Sequence, residues 1–146
     1  MIPLPDQVTR SYSALTTGDS ATAGLHCVED VLCHVTGAHP FSGDYRGVAE
    51  IVELLRAMDE AGGDHSFTVT NVMSDDTGSQ VLVEGVARHG SFARHVINRL
   101  RYDGELLAEL WLKPLDQRAE DEFWRGRVPH QRAGGSGTTA AADLQS

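Results

Sequence analysis

Between Ser66 and Leu112 the chain is a series of four apolar-rich runs separated only by tight turns. Residues 66–73, 80–88, 92–102 and 106–112 carry the Val, Ile, Leu, Phe and Thr expected of strands. The breaks between the first three are Asp75-Asp76-Thr77-Gly78 and His89-Gly90, and the last is Asp103-Gly104, a strong hairpin signal. Pro114 closes the fourth run, because it cannot donate to a ladder. A parallel crossover needs a dozen or more residues, so strands this closely joined form an antiparallel meander. One face of such a sheet must be covered, and the cover has to come from the rest of the chain.

The flanking segments supply helices. Residues 6–17 place Val8, Tyr12 and Leu15 on one face, with Asp6 as N-cap and Gly18 as terminator. A short second helix is expected over 20–28, with Ala21, Leu25 and Val28 inward. Val31–Val35 reads as a strand that runs into a loop or irregular hairpin over 36–47, a stretch with three Gly and one Pro. Residues 48–61 give the clearest helix, with Val48, Ile51, Val52, Leu55 and Met58 as its apolar stripe and Gly62-Gly63 as its stop. A last helix over 116–124 would pack Leu115, Ala119, Phe123 and Trp124 downward. Residues 126–146 hold little to bury and are expected to be a flexible tail behind one domain of residues 1–125. The expected class is α+β: a strongly curved antiparallel sheet wrapped around three helices, its concave side forming an internal pocket.

Several functions are disfavoured. A net charge of −9 is a poor match for phosphate backbones and anionic membranes, so no nucleic-acid or membrane partner is expected. No apolar run approaches the ~20 residues of a membrane span, and the N-terminus has no signal-peptide pattern, so the expected location is cytoplasmic. Cys27 and Cys33 suit buried apolar positions, and no Cys or His pairs stand at zinc spacing, so no metal is expected. Gly43–Gly47 lacks the Lys-Ser/Thr ending of a phosphate loop, Ser42 has no nucleophile-elbow pattern, and no nicotinamide or flavin fingerprint occurs; no cofactor is expected.

Polar residues on apolar strands are the candidates for chemistry. Alternation puts Glu109, Trp111 and Lys113 on one face of their strand. Glu109 beside Trp111 suits a general acid or base if buried, or else a dimer face or a pair with Arg99 or Arg101. His34 stands out of phase with Val31, Cys33 and Val35, as a proton shuttle in a pocket or a core His bonded to backbone. On the third run Arg94, Val96, Asn98 and Leu100 share one face and His95, Ile97, Arg99 and Arg101 the other. Only one of Asn98 and His95 can therefore face a pocket, and the pattern does not choose. Glu84 among Val81–Val83 and Val86 is either a site residue or a cross-strand partner of Arg.

Three segments together resemble the SnoaL-like branch of the nuclear-transport-factor-2-like superfamily, which also holds ketosteroid-isomerase-like enzymes. They are Val31–Val35 with the loop His39-Pro40-Phe41-Ser42-Gly43-Asp44-Tyr45-Arg46-Gly47, the turn and strand Asp103-Gly104-Glu105-Leu106-Leu107-Ala108-Glu109-Leu110-Trp111, and the helix Asp116–Trp124. The resemblance spans roughly residues 6–124 and implies a cone-shaped fold, an internal pocket and a homodimer across the outer sheet face. It further implies polyketide-cyclase, isomerase or epoxide-hydrolase chemistry of the kind found in secondary metabolism. Trp111 is followed here by Leu112 and Lys113, where those enzymes carry an Asp next to the Trp or two residues beyond it.

The resulting expectation is an enzyme for an apolar, oxygen-bearing small molecule, working by acid/base chemistry without a cofactor. His34, Glu109, His95 and Asn98 are the candidates for proton handling. His39, Phe41, Tyr45, Glu84 and Trp111 are the candidates for substrate contact. The competing expectations are a non-catalytic binding or dimerisation module of the same fold and a pocket that guides a pericyclic reaction by shape.

Overall fold

The computed structural model describes residues 5–16, 19–63 and 66–127. Along the chain these form α1 (Asp6–Thr16), α2 (Ser20–Ala23), β1 (Cys27–Val35), β2 (Gly43–Arg46), α3 (Val48–Gly62), β3 (Ser66–Ser74), β4 (Gln80–His89), β5 (Phe92–Asp103), β6 (Leu106–Leu112) and α4 (Gln117–Arg127). The expected tail over 126–146 is helical at its first two residues, Gly126 and Arg127, which end α4; its remainder lies outside the described residues.

One six-stranded sheet has the order β2-β1-β6-β5-β4-β3. Strands β3 to β6 are the antiparallel meander that their turn residues dictate. Gly104, at φ 63°, occupies the left-handed position of the β5–β6 turn, where any side chain would be strained. Two features depart from the expectation. The sheet is mixed, because β1 lies parallel to β6, with Cys33 opposite Leu110 and Val35 opposite Leu112. The α3–meander segment provides the long connection that a parallel pair requires. The irregular 36–47 stretch contains a true strand: β2 pairs antiparallel with β1, His34 opposite Asp44 and Val35 opposite Gly43.

Helices α1 and α3 lie against the concave face. Val8 and Leu15 of α1, and Ile51 and Leu54 of α3, are buried with Val81, Val83, Leu100, Leu107 and Leu110 of the sheet. Each such side chain contributes about 1.5–3 kcal/mol of burial free energy. A polar group within this packing, Ser11, is matched by the Tyr102 hydroxyl at 2.9 Å. Helix α2 is a single capped turn rather than the 20–28 helix expected, with Asp19 Oδ1 accepting from the Ala21 and Thr22 amides. Leu25 consequently stays 72% exposed, since the chain is already bending into β1. Leu115 is exposed as well; Trp124, 1% exposed, anchors the last helix in its place.

Helix α4 is fastened across one end of the sheet by hydrogen bonds from its side chains to the segment after β1. Thr36 Oγ1 donates to Gln117 Oε1 at 2.6 Å, Gln117 Nε2 returns to the Thr36 carbonyl at 3.2 Å, and the Ala38 amide donates to Asp121 Oδ1 at 3.1 Å. Gly37 makes this possible, because a Cβ there would stand 2.1 Å from Gln117 Nε2. The closure of that end by α4 shapes the cavity.

Candidate functional site

The register settles which face of β5 is inward. Arg94, Val96 and Asn98 line a cavity of about 460 Å³ between the sheet and helices α1, α3 and α4. Its walls are mostly apolar, with Leu15, Val52, Leu55, Met58, Leu110 and Leu112 prominent. A volume of this size suits a small organic ligand.

Polar groups gather at the α4 end. Arg94 Nε donates to His89 Nε2 at 3.0 Å, and Arg94 Nη1 donates to Glu120 Oε2 at 2.7 Å. The same carboxylate oxygen accepts from Trp124 Nε1 at 2.8 Å. The guanidinium carbon lies 4.9 Å from the Trp124 ring centre, within cation–π range. The Arg94 and Glu120 side chains are only 14% and 9% exposed. Burial pulls the Arg94 pKa down, with Glu120 opposing. Because His89 Nε2 accepts, its proton sits on Nδ1, which donates to the Gly62 carbonyl at 3.1 Å.

His39 also lines the cavity, with its ring 6.2 Å from that of Trp124. The Phe41 amide donates to His39 Nδ1 at 3.1 Å, which fixes the ring proton on Nε2. His39 is 9% exposed, and Nε2 is buried without a hydrogen-bond partner. Burial pushes its pKa down to about 4, with Asp121 and, more weakly, the Thr36 backbone pulling upward and Arg125 and Arg94 pressing further down, so the ring is neutral near pH 7. A buried N–H without an acceptor costs about 1–3 kcal/mol.

Asn98 and Tyr12 form a second polar point on the wall. Asn98 Nδ2 donates to the Tyr12 hydroxyl at 3.3 Å. Burial raises the Tyr12 pKa well above its ordinary value, so the phenol keeps its proton. Lys113 stands at the exposed rim.

The opposite face of the sheet carries a different constellation. One registered row crosses all six strands: Met73, Leu82, Arg99, Trp111, His34 and Asp44. His34 Nδ1 is 2.7 Å from Asp44 Oδ1 and Nε2 is 2.5 Å from Glu109 Oε2. Carboxylates only accept, so both ring nitrogens donate and His34 is an imidazolium. Partial burial works against that charge, but the bonds to Asp44 and Glu109 outweigh it and raise the His34 pKa. Glu109 is the mirror case: burial acts upward, yet His34 and Arg101 hold its pKa down. Arg101 Nη2 donates to Glu109 Oε1 at 3.2 Å, the His34 ring stacks on Trp111 at 5.3 Å, and Arg99 lies 4.4 Å over the Trp111 ring.

Of the residues singled out from sequence, Asn98 and His39 line the cavity. His34, Glu109 and Trp111 stand together on the outer face; the parallel register of β1 with β6 puts them there. His95 is exposed on that face and Glu84 shares it, each opposite an outward neighbour, Val86 and Ile97 respectively. Phe41 is buried behind the wall, edge-on to Trp124, and Tyr45 donates its hydroxyl to the Phe41 carbonyl at 2.7 Å. The grouping of His89, Arg94, Glu120 and Trp124 escaped the sequence reading; its one local trace is the i,i+4 spacing of Glu120 and Trp124 in α4. Cys27 and Cys33 are free and buried, with pKa values pushed up to about 11 and about 12 by burial. Among the described residues no group of three or more His, Cys, Asp and Glu is arranged to hold a metal ion, and no helix is long and apolar enough to cross a membrane.

Solved structures share this architecture. A protein of unknown function with a cystatin-like fold from Xanthomonas campestris is 29% identical with a TM-score of 0.66, the match covering 82% of this chain and 95% of that one. A candidate polyketide cyclase from Sinorhizobium meliloti is 19% identical with a TM-score of 0.59, covering 75% and 95%. A candidate ketosteroid isomerase from Kribbella flavida is 17% identical with a TM-score of 0.58, covering 76% of each chain. No curated protein matches the chain. The model of the SnoaL-like domain matches residues 8–110, and with the cystatin-like sheet and helices in place the chain belongs to the SnoaL-like domain family.

Proposed function

We propose that this chain binds an apolar, oxygen-bearing small molecule in the inner cavity and moves protons on it without a cofactor. Cyclisation, isomerisation or water addition on a polyketide- or terpenoid-like substrate is the reaction class. The observation that carries this reading is the buried His39 Nε2–H, a donor without a partner on the wall of a 460 Å³ cavity. A substrate carbonyl satisfies it, and an oxyanion developing on that carbonyl satisfies it better. Asn98 and the protonated Tyr12 form a second polar contact on the same wall. The likeness to a candidate polyketide cyclase and a candidate ketosteroid isomerase supports the same class of chemistry.

A thermal-shift screen against polyketide, terpene and steroid-like compounds, followed by turnover assays on the hits, tests the reading. A ligand at 100 times its Kd adds about 2.7 kcal/mol of stability. Turnover that Asn98→Ala reduces is the expected result; a flat screen contradicts it. The second reading is a non-catalytic binding protein. It is favoured by the engagement of the buried bases: Glu120 Oε2 holds two donors and His39 Nδ1 holds one. Saturable binding with no conversion of any hit selects it. Both readings take the outer sheet face as a homodimer surface, for which the Met73-to-Asp44 row offers apolar Met73 and Leu82 at one end and charged His34 and Asp44 at the other.

A further inference from the structure

We infer that the α4 end of the cavity is a subsite for an anionic oxygen group, a carboxylate or an ionised enol, received by Arg94 and His39. This rests on the cavity being the binding site and narrows its ligand from oxygen-bearing molecules in general to organic acids.

Donors outnumber their partners at this end of the cavity. Three of the acceptor atoms at this end are occupied, Glu120 Oε2 by Arg94 and Trp124, His89 Nε2 by Arg94, and His39 Nδ1 by the Phe41 amide, while Glu120 Oε1 carries no bond among the described residues. The donors are not exhausted. His39 Nε2–H is unpartnered, and Arg94 spends Nε and Nη1 on protein, leaving Nη2 without a bond among the described residues. Both side chains line the cavity, and both lie near Trp124, His39 with its ring centre at 6.2 Å and Arg94 with its guanidinium carbon at 4.9 Å. The open donors call for an acceptor, and a carboxylate suits a guanidinium best because the pair is charge-assisted on both sides and its two oxygens match the planar N–H fork.

The surrounding charge permits this. The chain carries −9, yet the cavity wall sets Arg56, Arg94 and Lys113 against Asp59 and Glu120. Arg56 is shared with Glu53 outside the cavity, which leaves the wall close to neutral in a strongly acidic chain. The apolar remainder of the wall takes the body of the molecule, and Trp124, Phe123 and Phe41 hold the polar end rigid.

Isothermal titration calorimetry of the full chain with 2-naphthoate and with its near-isostere 2-naphthamide tests the inference directly. The amide keeps one acceptor but loses the charge and brings N–H groups. Naphthoate is expected to bind at least about tenfold more tightly. In R94M/E120Q, which removes the buried charges together and keeps the Trp124 acceptor, the two probes should bind within about twofold of one another. Amide binding as tight as the acid's overturns the inference and leaves the cavity reading standing, as does binding of neutral compounds from the screen when naphthoate does not bind. A preference that survives R94M/E120Q and disappears in K113M overturns the assignment to Arg94. Failure of both probes and of every screened compound removes the cavity reading itself. The comparison of the two probes on the unmodified protein stands even if the double variant does not fold.

Discussion

Arg94→Met should be among the most damaging single substitutions in this protein. The change removes the charged partner from Glu120, whose side chain is 9% exposed, and leaves Oε2 with the Trp124 indole alone. It also takes the Nε donor from His89. Removing one member of a buried ion pair costs about 3–5 kcal/mol, because the remaining charge is neither solvated nor matched. At about 3–5 °C per kcal/mol for a domain of this size, the melting temperature should fall by about 10–20 °C. R94M/E120Q should recover most of that loss, since glutamine keeps an acceptor for Trp124 and carries no charge. Urea unfolding followed by Trp fluorescence reads both variants, with the buried Trp124 as reporter. A single-variant cost below about 1 kcal/mol, the value of an exposed pair, would refute the reasoning. So would a double variant less stable than the single.

Two further outcomes follow from other parts of the fold. Gly85→Ala places a Cβ 2.4 Å from Phe67 Cζ and 2.9 Å from the Thr68 carbonyl oxygen. The ring can turn but the backbone cannot, so a loss of about 1–3 kcal/mol is expected in urea unfolding, and an unchanged midpoint would contradict it. The outer-face cluster makes a pH prediction. His34, with its pKa raised from 6.5, stabilises the fold fully below 6.5 and loses the effect as pH climbs through the raised value. Glu109, lowered from 4.5, stabilises above 4.5 and loses the effect as pH falls through the lowered value. The stability difference between the native protein and Glu109→Gln should therefore peak between pH 4.5 and 6.5, and a difference flat with pH contradicts the pairing.

The meander was legible because its information is local. Asp103-Gly104 and Asp75–Gly78 can hardly be anything but turns, and the runs between them alternate. The parallel β1–β6 pair was not legible, since nothing near Val31 or Leu110 in sequence encodes a partner so far along the chain. That pairing brings His34 beside Trp111 and Glu109, which face outward with Arg99 and Arg101 of β5, so the cluster depended on an unreadable register. The phase of β5 was ambiguous for a simpler reason. Arg94 and His95, Val96 and Ile97, Asn98 and Arg99 offer nearly equal polar and apolar content to either face. Asn98 and His39, which line the cavity, were singled out because one sits polar within an apolar half-strand and the other lies on the loop that carries the family resemblance. The Arg94–Glu120 pair joins a strand to a helix 26 positions away, and no periodicity reports a contact of that kind.

On the proposed function, ligands enter the concave side of the sheet and not the charged outer face. The chain has three methionines; Met58 lines the cavity and Met73 is exposed on the outer face opposite Leu82, while Met1 lies outside the described residues. Methyl-labelled methionine therefore places a reporter on each side of the sheet. Titration with 2-naphthoate, or with a hit from the screen, should move the Met58 methyl resonance to saturation and leave Met73 in place. A saturable shift of Met73 with Met58 unmoved would contradict the account and put the site on the His34–Glu109 face.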